Sequence, residues 1–468
     1  MNRTLIFALA CLVPIFAAEK NQPLPKDLPP YGPLKTIAAP RVTQQRLENG
    51  MTIWLAPTPG FPKIAFVLAV RGGRAADPKD RPGISELLAD TITQGTKTRS
   101  AKQIAEAAQA AGGDLSGRVT ADAVFLDFSV LSSKLDAALD VLADCAQNAK
   151  FADDEVAIAK TNALTSLEAR EGEPRFLGRR ALYSALFGDH PYSVMAPTRA
   201  SISSTTPAEL RNEFTRRYRP DGALLIAVGD FDPSRISAAI RSRFATWSAP
   251  GQPVPAAVPK PPDVVPHSII YVPRTNSVQT ALFLAALGPC RRDPDYAAAR
   301  VANAIYGGTF ASRLVSNIRE DKGYTYSPGS FLAAFKETGI LITGADVRNA
   351  VTGASFNEIT YELNRLATTA PDEEELQRAK RYLVGSQAIE LQSRASVAQS
   401  LAALWIDGQP PEELGLESQR IEGVSSKDAE AASRKYFPAR RMIVVAVGEE
   451  KVVKDQLTPF GMEFHLAR

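Results

Sequence analysis

Residues 307–327 read Gly307-Gly308-Thr309-Phe310-Ala311-Ser312-Arg313-Leu314-Val315-Ser316-Asn317-Ile318-Arg319-Glu320-Asp321-Lys322-Gly323-Tyr324-Thr325-Tyr326-Ser327, and they set the frame for the whole chain. Gly307 and Gly308 permit a tight turn. Phe310, Leu314, Val315 and Ile318 then recur at helical spacing, which predicts a short amphipathic helix. Gly323 ends it, and Lys322 sits where a cation favours the helix dipole. Tyr324 and Tyr326 alternate around Thr325 as on a strand. A guanidinium, Arg319, and a phenol, Tyr326, should therefore meet where a helix runs into a strand. Taken alone, such a pair also fits a surface arginine beside an edge-strand tyrosine.

Outward from this stretch, the second half of the chain repeats the first. Leu47-Glu48-Asn49-Gly50-Met51 carries an Asn-Gly hairpin signal before the strand Thr52-Ile53-Trp54-Leu55, and Ile64 to Val70 is a continuous apolar strand. Ser268 to Val272 and Gln279 to Ala286 answer these strands. Helices are expected over 83–95, 101–111 and 134–145, with Val124 to Val130 as a strand. Asp153 is expected to cap a long helix to about Arg170, as Asp372 caps one carrying Leu376, Ala379 and Leu383. Tyr218-Arg219-Pro220 leading to Ala227-Val228-Gly229 is matched by Tyr436-Phe437-Pro438 leading to Ala446-Val447-Gly448. The fold class is α+β: two homologous domains, each a mainly antiparallel sheet with helices packed on one face.

The chain of 468 residues is longer than one core usually serves. A net charge of +3 without a concentrated basic patch argues against a nucleic-acid partner. Met1-Asn2-Arg3 followed by apolar Leu5 to Ala18 reads as a signal peptide over 1–18, too short to span a bilayer, so the protein is expected to be secreted, in the periplasm. No later run is long enough for a membrane span. Residues 19–40 hold six prolines and read as an extended arm. Seven prolines between 250 and 266 mark a linker over 248–266, which leaves domains over 41–247 and 267–468. Cys145 and Cys290 look like buried core cysteines.

The run 307–327 resembles the second-half signature of the pitrilysin/insulinase-like (inverzincin) zinc metallopeptidases, the family of the mitochondrial processing peptidase. The resemblance covers about residues 44–450. It implies that Arg319 and Tyr326 are catalytic and substrate-binding residues reaching across to a zinc site, and that the loop around Ser116 and Gly117 leads to a strand which accepts extended, unstructured peptide. Active members carry His-x-x-Glu-His on a first-half helix, in which two histidines bind zinc and the glutamate is the base.

That motif is degenerate here. Its segment is Gly83-Ile84-Ser85-Glu86-Leu87-Leu88-Ala89-Asp90, with Glu86 and Asp90 at the histidine positions and Ala89 at the base. The distal ligand position falls near Thr165. No member of the set keeps its chemistry, so no metal is expected in this chain. Glu86 and Asp90 read as a solvated helix face. The three histidines, His190, His267 and His465, have no ligand spacing, and His190 reads as structural. The resemblance, combined with this absence, implies a non-catalytic subunit of a heterodimeric zinc metalloendopeptidase. A homologous, zinc-bearing partner would supply the metal. The alternative is a peptide-binding or structural interaction module without a catalytic partner.

Overall fold

The structure, a computed structural model, describes Gly32 and residues 38–255, 257–263 and 268–467. The expected signal peptide, nearly all of the arm, part of the linker and His267 lie outside the described residues. The described residues from 38 onward form one compact unit.

Two six-stranded sheets dominate it. The first half supplies β1 (Thr43–Arg46), β2 (Thr52–Pro57), β3 (Lys63–Arg71), β4 (Leu115–Val119), β5 (Ala123–Leu131) and β6 (Ala223–Gly229) in the order β1-β2-β6-β3-β5-β4. The second half supplies β7 (Ser268–Pro273), β8 (Gln279–Gly288), β9 (Gly329–Ala334), β10 (Gly339–Arg348), β11 (Ile443–Gly448) and β12 (Glu463–Leu466) in the order β12-β7-β11-β8-β10-β9. With β1 and β12 set aside, the two orders are the same. In each, one parallel pair (β2 with β6, β7 with β11) sits beside an antiparallel meander. The sequence repeat is thus a repeat of topology.

The first half also supplies α1 (Ile84–Thr91), α2 (Ala101–Ala110), α3 (Leu135–Asn148), α4 (Asp153–Glu171) and α5 (Pro174–Phe187). α1 is shorter than the expected 83–95. Asp153 is the first helical residue rather than the cap, whereas Asp372 does cap its helix by accepting from the Glu375 amide. One face of the first sheet packs Ile53, Phe66, Leu68, Leu126 and Phe128 against its own helices.

The opposite face is covered too, and by the other half of the chain. Trp54, Val67, Leu224 and Ile226 pack against Val397, Leu401, Leu404 and Ile406 of the helix Arg394–Ile406. Reciprocally, Leu182, Tyr183 and Leu186 of α5 pack against Phe283, Ile342 and Val445 of the second sheet. The two helices hold equivalent places in the repeat, each following a long helix (α4 or Glu373–Glu390). Covering one face alone would leave strands such as β6, buried along its whole length, exposed on the other. Cys145 and Cys290 are free and buried, and burial pushes the Cys145 thiol up to about 12. His190 is structural, its Nε2 lying 2.8 Å from the Pro259 carbonyl oxygen.

Candidate functional site

Arg319 and Tyr326 do meet, by a different backbone route from the one expected. Ser312 accepts from the Val315 amide and starts the helix after Phe310, so regular α-helix covers only Arg313–Val315. Ser316–Asp321 continues as a π-helix, with the Lys322 amide donating to the Asn317 carbonyl five residues back. The Asn317 amide group donates to Glu358 and Glu362 at 3.0 and 2.8 Å, which holds this widened turn. Arg313 grips Glu375 through two bonds of 2.8 and 2.6 Å and keeps that carboxyl below the usual range. The Gly-Gly pair serves close packing: a Cβ on Gly307 would come within 2.8 Å of the Ser330 Cβ.

Residues 324–328 are irregular, not a strand, because Pro328 lacks an amide hydrogen and β9 begins only at Gly329. Thr325 is buried and donates to the Asp346 carbonyl at 2.6 Å. With Thr325 so anchored, Tyr326 projects outward, 81% exposed. The Arg319 guanidinium lies 4.8 Å from the Tyr326 ring centroid and 4.4 Å from that of Phe310. Phe310 was expected on the buried helix face; instead it is exposed and forms the second jaw of an aromatic clamp. Stacking occupies the faces of the guanidinium and leaves its edge for polar contacts, where Nε already lies 3.2 Å from the Glu320 carboxylate. The clamp opens into a cleft of about 560 Å³, which also takes in Arg175 and Arg179 of α5 and Tyr382.

A second cleft, of about 520 Å³, lies between α1 and α4 and holds Glu86 and Asp90. The two clefts share no lining residue. Glu86 is not on a solvated face. It is partly buried and paired with Arg74 at 3.2 Å, and Arg74 also donates to the Val119 carbonyl. Burial raises the Glu86 carboxyl above its usual range, opposed by Arg74 and Arg170. Ala89 is buried beneath β4 and supplies no base. Thr165 is misplaced by the sequence reading: it is exposed, and its hydroxyl donates to the Thr161 carbonyl at 3.0 Å. Helical periodicity turns Asn162, Ser166 and Arg170 into the cleft instead.

These residues do not fit zinc. An arginine holds one carboxylate, a second arginine stands opposite both, no imidazole or thiolate lines the cleft, and the α4 wall adds Asn162, Ser166 and Arg170 with Glu155 as its one carboxylate. Among the described residues, no group of three or more His, Cys, Asp or Glu side chains could hold a metal ion. Arg74 and Arg170 gave no motif signal, since each acts only through the pairing of distant segments.

Ser116 and Gly117 lie on β4, an edge strand of the first sheet. Ser116 is exposed. Gly117 has a packing reason: a Cβ there would lie 2.1 Å from the Ala89 carbonyl oxygen, so only glycine lets α1 approach the strand.

Comparison with known proteins agrees with this architecture. Residues 54–197 match the profile described as insulinase (peptidase family M16), and residues 204–383 match the profile described as the peptidase M16 inactive domain. A Rickettsia felis protein described as an uncharacterized zinc protease is 26% identical over 343 residues, covering 72% of this chain and 81% of its own length. A Bacillus subtilis protein with the same description is 26% identical over 355 residues, covering 75% and 84%. The solved peptidase M16 inactive domain from Pseudomonas fluorescens superposes with a TM-score of 0.82 at 25% identity, covering 87% of this chain and 98% of that one. A protease from Helicobacter pylori shares the fold with a TM-score of 0.82 at 17% identity, over 88% and 100%. With two M16 profiles together spanning more than half of its length and its fold shared with the solved M16 domain, the chain belongs to the insulinase (M16) family of peptidases.

Proposed function

We propose that this chain is the non-catalytic, substrate-binding subunit of a heterodimeric zinc metalloendopeptidase that acts on unstructured peptides outside the cytoplasm. The observation that carries the reading is the contrast between the two clefts. The metal positions are filled by an ion-paired Glu86, an apolar Ala89 and Asp90 facing Arg170, whereas Arg319 is held between Phe310 and Tyr326 with the phenol exposed. A module serving only as scaffold would need neither the clamp nor an exposed tyrosine at its tip.

In this reading a homologous partner supplies metal and base. The Tyr326 hydroxyl donates to the scissile carbonyl oxygen as negative charge develops there, and Arg319 holds the neighbouring carbonyl of the bound peptide. Loss of one such donor costs about a hundredfold to a thousandfold in a well-studied protease. The test is co-expression with a homologue that carries His-x-x-Glu-His. Tyr326→Phe keeps the ring stacked on Arg319 and removes only the donor, so turnover of the complex should fall at least about tenfold. Arg319→Ala should in addition weaken apparent substrate affinity. Wild-type turnover in an assembled Tyr326→Phe complex would refute the catalytic role of Tyr326.

A further inference from the structure

The cleft at Arg319 gathers four of the exposed large aromatics of the chain: Phe310, Tyr326, Phe331 and Tyr382 are 66%, 81%, 42% and 51% exposed. It also gathers three guanidinium groups. Arg175 is already committed to Asp346 at 2.6 Å and to Ser327 at 2.9 Å. Among the described residues Arg319 pairs with its chain neighbour Glu320, at 3.2 Å and outside the lining. Arg179, exposed on α5, stacks 5.6 Å from the Phe331 ring centroid and makes no ion pair among the described residues. Asp346 is the one carboxylate in the lining, and Arg175 neutralises it. The cleft therefore presents one guanidinium with no ion pair among the described residues, Arg179, and a second, Arg319, whose Nε meets Glu320, both stacked against aromatic faces.

We propose that this cleft selects extended peptide segments in which an acidic side chain adjoins an aromatic or large aliphatic one. Arg179 receives the carboxylate and the rings of Phe331 and Tyr382 receive its apolar neighbour. This deepens the function proposed above, since it rests on the cleft being where substrate lies. The planar fork of arginine matches the two oxygens of such a carboxylate. It disfavours lysine-rich segments by like-charge repulsion inside a partly desolvated cleft.

The test is fluorescence anisotropy of the purified full chain with short labelled unstructured peptides identical except for Glu, Gln or Lys before a central Phe. The Glu peptide should bind about tenfold more tightly than the Lys peptide, the size expected of one charge-assisted contact. Raising ionic strength from about 0.05 to about 0.5 M should narrow the gap. Arg179→Gln should abolish the preference. Arg180→Gln, on the same helix but turned to Glu171 at 2.9 Å, should leave it intact. Equal binding of the three peptides, or a preference that survives Arg179→Gln, overturns the selection while leaving peptide capture in place. Absence of binding by all three overturns both.

Discussion

Residues 41–247, cut from the rest and expressed alone, should not fold, although their sequence reads as a complete domain. The perturbation removes the helix Arg394–Ile406 from the face of the first sheet formed by Trp54, Val67, Leu224 and Ile226. Val397, Leu401, Leu404 and Ile406 are all buried there. Their removal uncovers Trp54, Val67, Leu224 and Ile226, and at about 1.5–3 kcal/mol for each large apolar side chain the burial lost is about 6–12 kcal/mol. A folded domain is stable by about 5–15 kcal/mol in total, so the loss consumes most or all of it. The fragment also leaves α5 without the second sheet, exposing Leu182 and Leu186. The assay is purification of the fragment, followed by urea unfolding and amide hydrogen exchange. The expected result is aggregation or a non-cooperative transition, with recovery when residues 248–468 are co-expressed as a separate chain. A monomeric fragment with a cooperative transition and protected amides in β3 and β6 would refute the reciprocal packing as the source of stability. A milder version is Leu401→Ala in the intact chain, which should cost about 2–5 kcal/mol.

The purified chain should carry no stoichiometric zinc; metal analysis giving one tightly held zinc per chain would contradict the Glu86–Arg74 account. Phe310→Ala should leave the melting temperature unchanged, because the ring is exposed, while weakening peptide binding by about two- to fivefold through loss of one clamp face. Burial pushes the Asp407 carboxyl up to about 6, so its contribution to stability is full below its unfolded-state value of about 4 and is lost as pH rises through about 6. Thermal melts of Asp407→Asn should therefore show a shallower loss of stability than wild type from about pH 4 to 7. Cys145 should resist alkylation in the native state and react only on unfolding, as mass spectrometry of iodoacetamide-treated protein would show.

The paired sheets were legible because their signals are local and occur twice. The apolar runs at 64–70 and 223–229, and their counterparts at 279–288 and 443–448, announce buried central strands, and the shared Tyr-x-Pro approach to an Ala-Val-Gly end fixes their equivalence. The exchange of helices between the halves was not legible. Nothing in Leu182 or Leu401 states which sheet it will meet, because an apolar helix face is complementary to any apolar sheet face. The same strands that identified two domains therefore concealed that neither is closed without the other.

The site divides along a similar line. Arg319 and Tyr326 were found through spacing, and the structure joins them, yet the spacing misled on how. The π-turn after Val315 and the Ser312 cap, not a continuous amphipathic helix, bring the guanidinium to the phenol and release Phe310 to stack on its other face. Thr165 failed for the complementary reason. A position transferred along a helix is secure only to within a residue or so, and a slip of one residue rotates a side chain by about 100°, from cleft to solvent. What decided each cleft's chemistry came from outside the motif: Arg74 pairs with Glu86 and Arg170 stands opposite both carboxylates of the first, while Arg179 charges the second. A degenerate motif thus tells which chemistry is gone, whereas the arginines contributed by distant segments tell what the cleft has become.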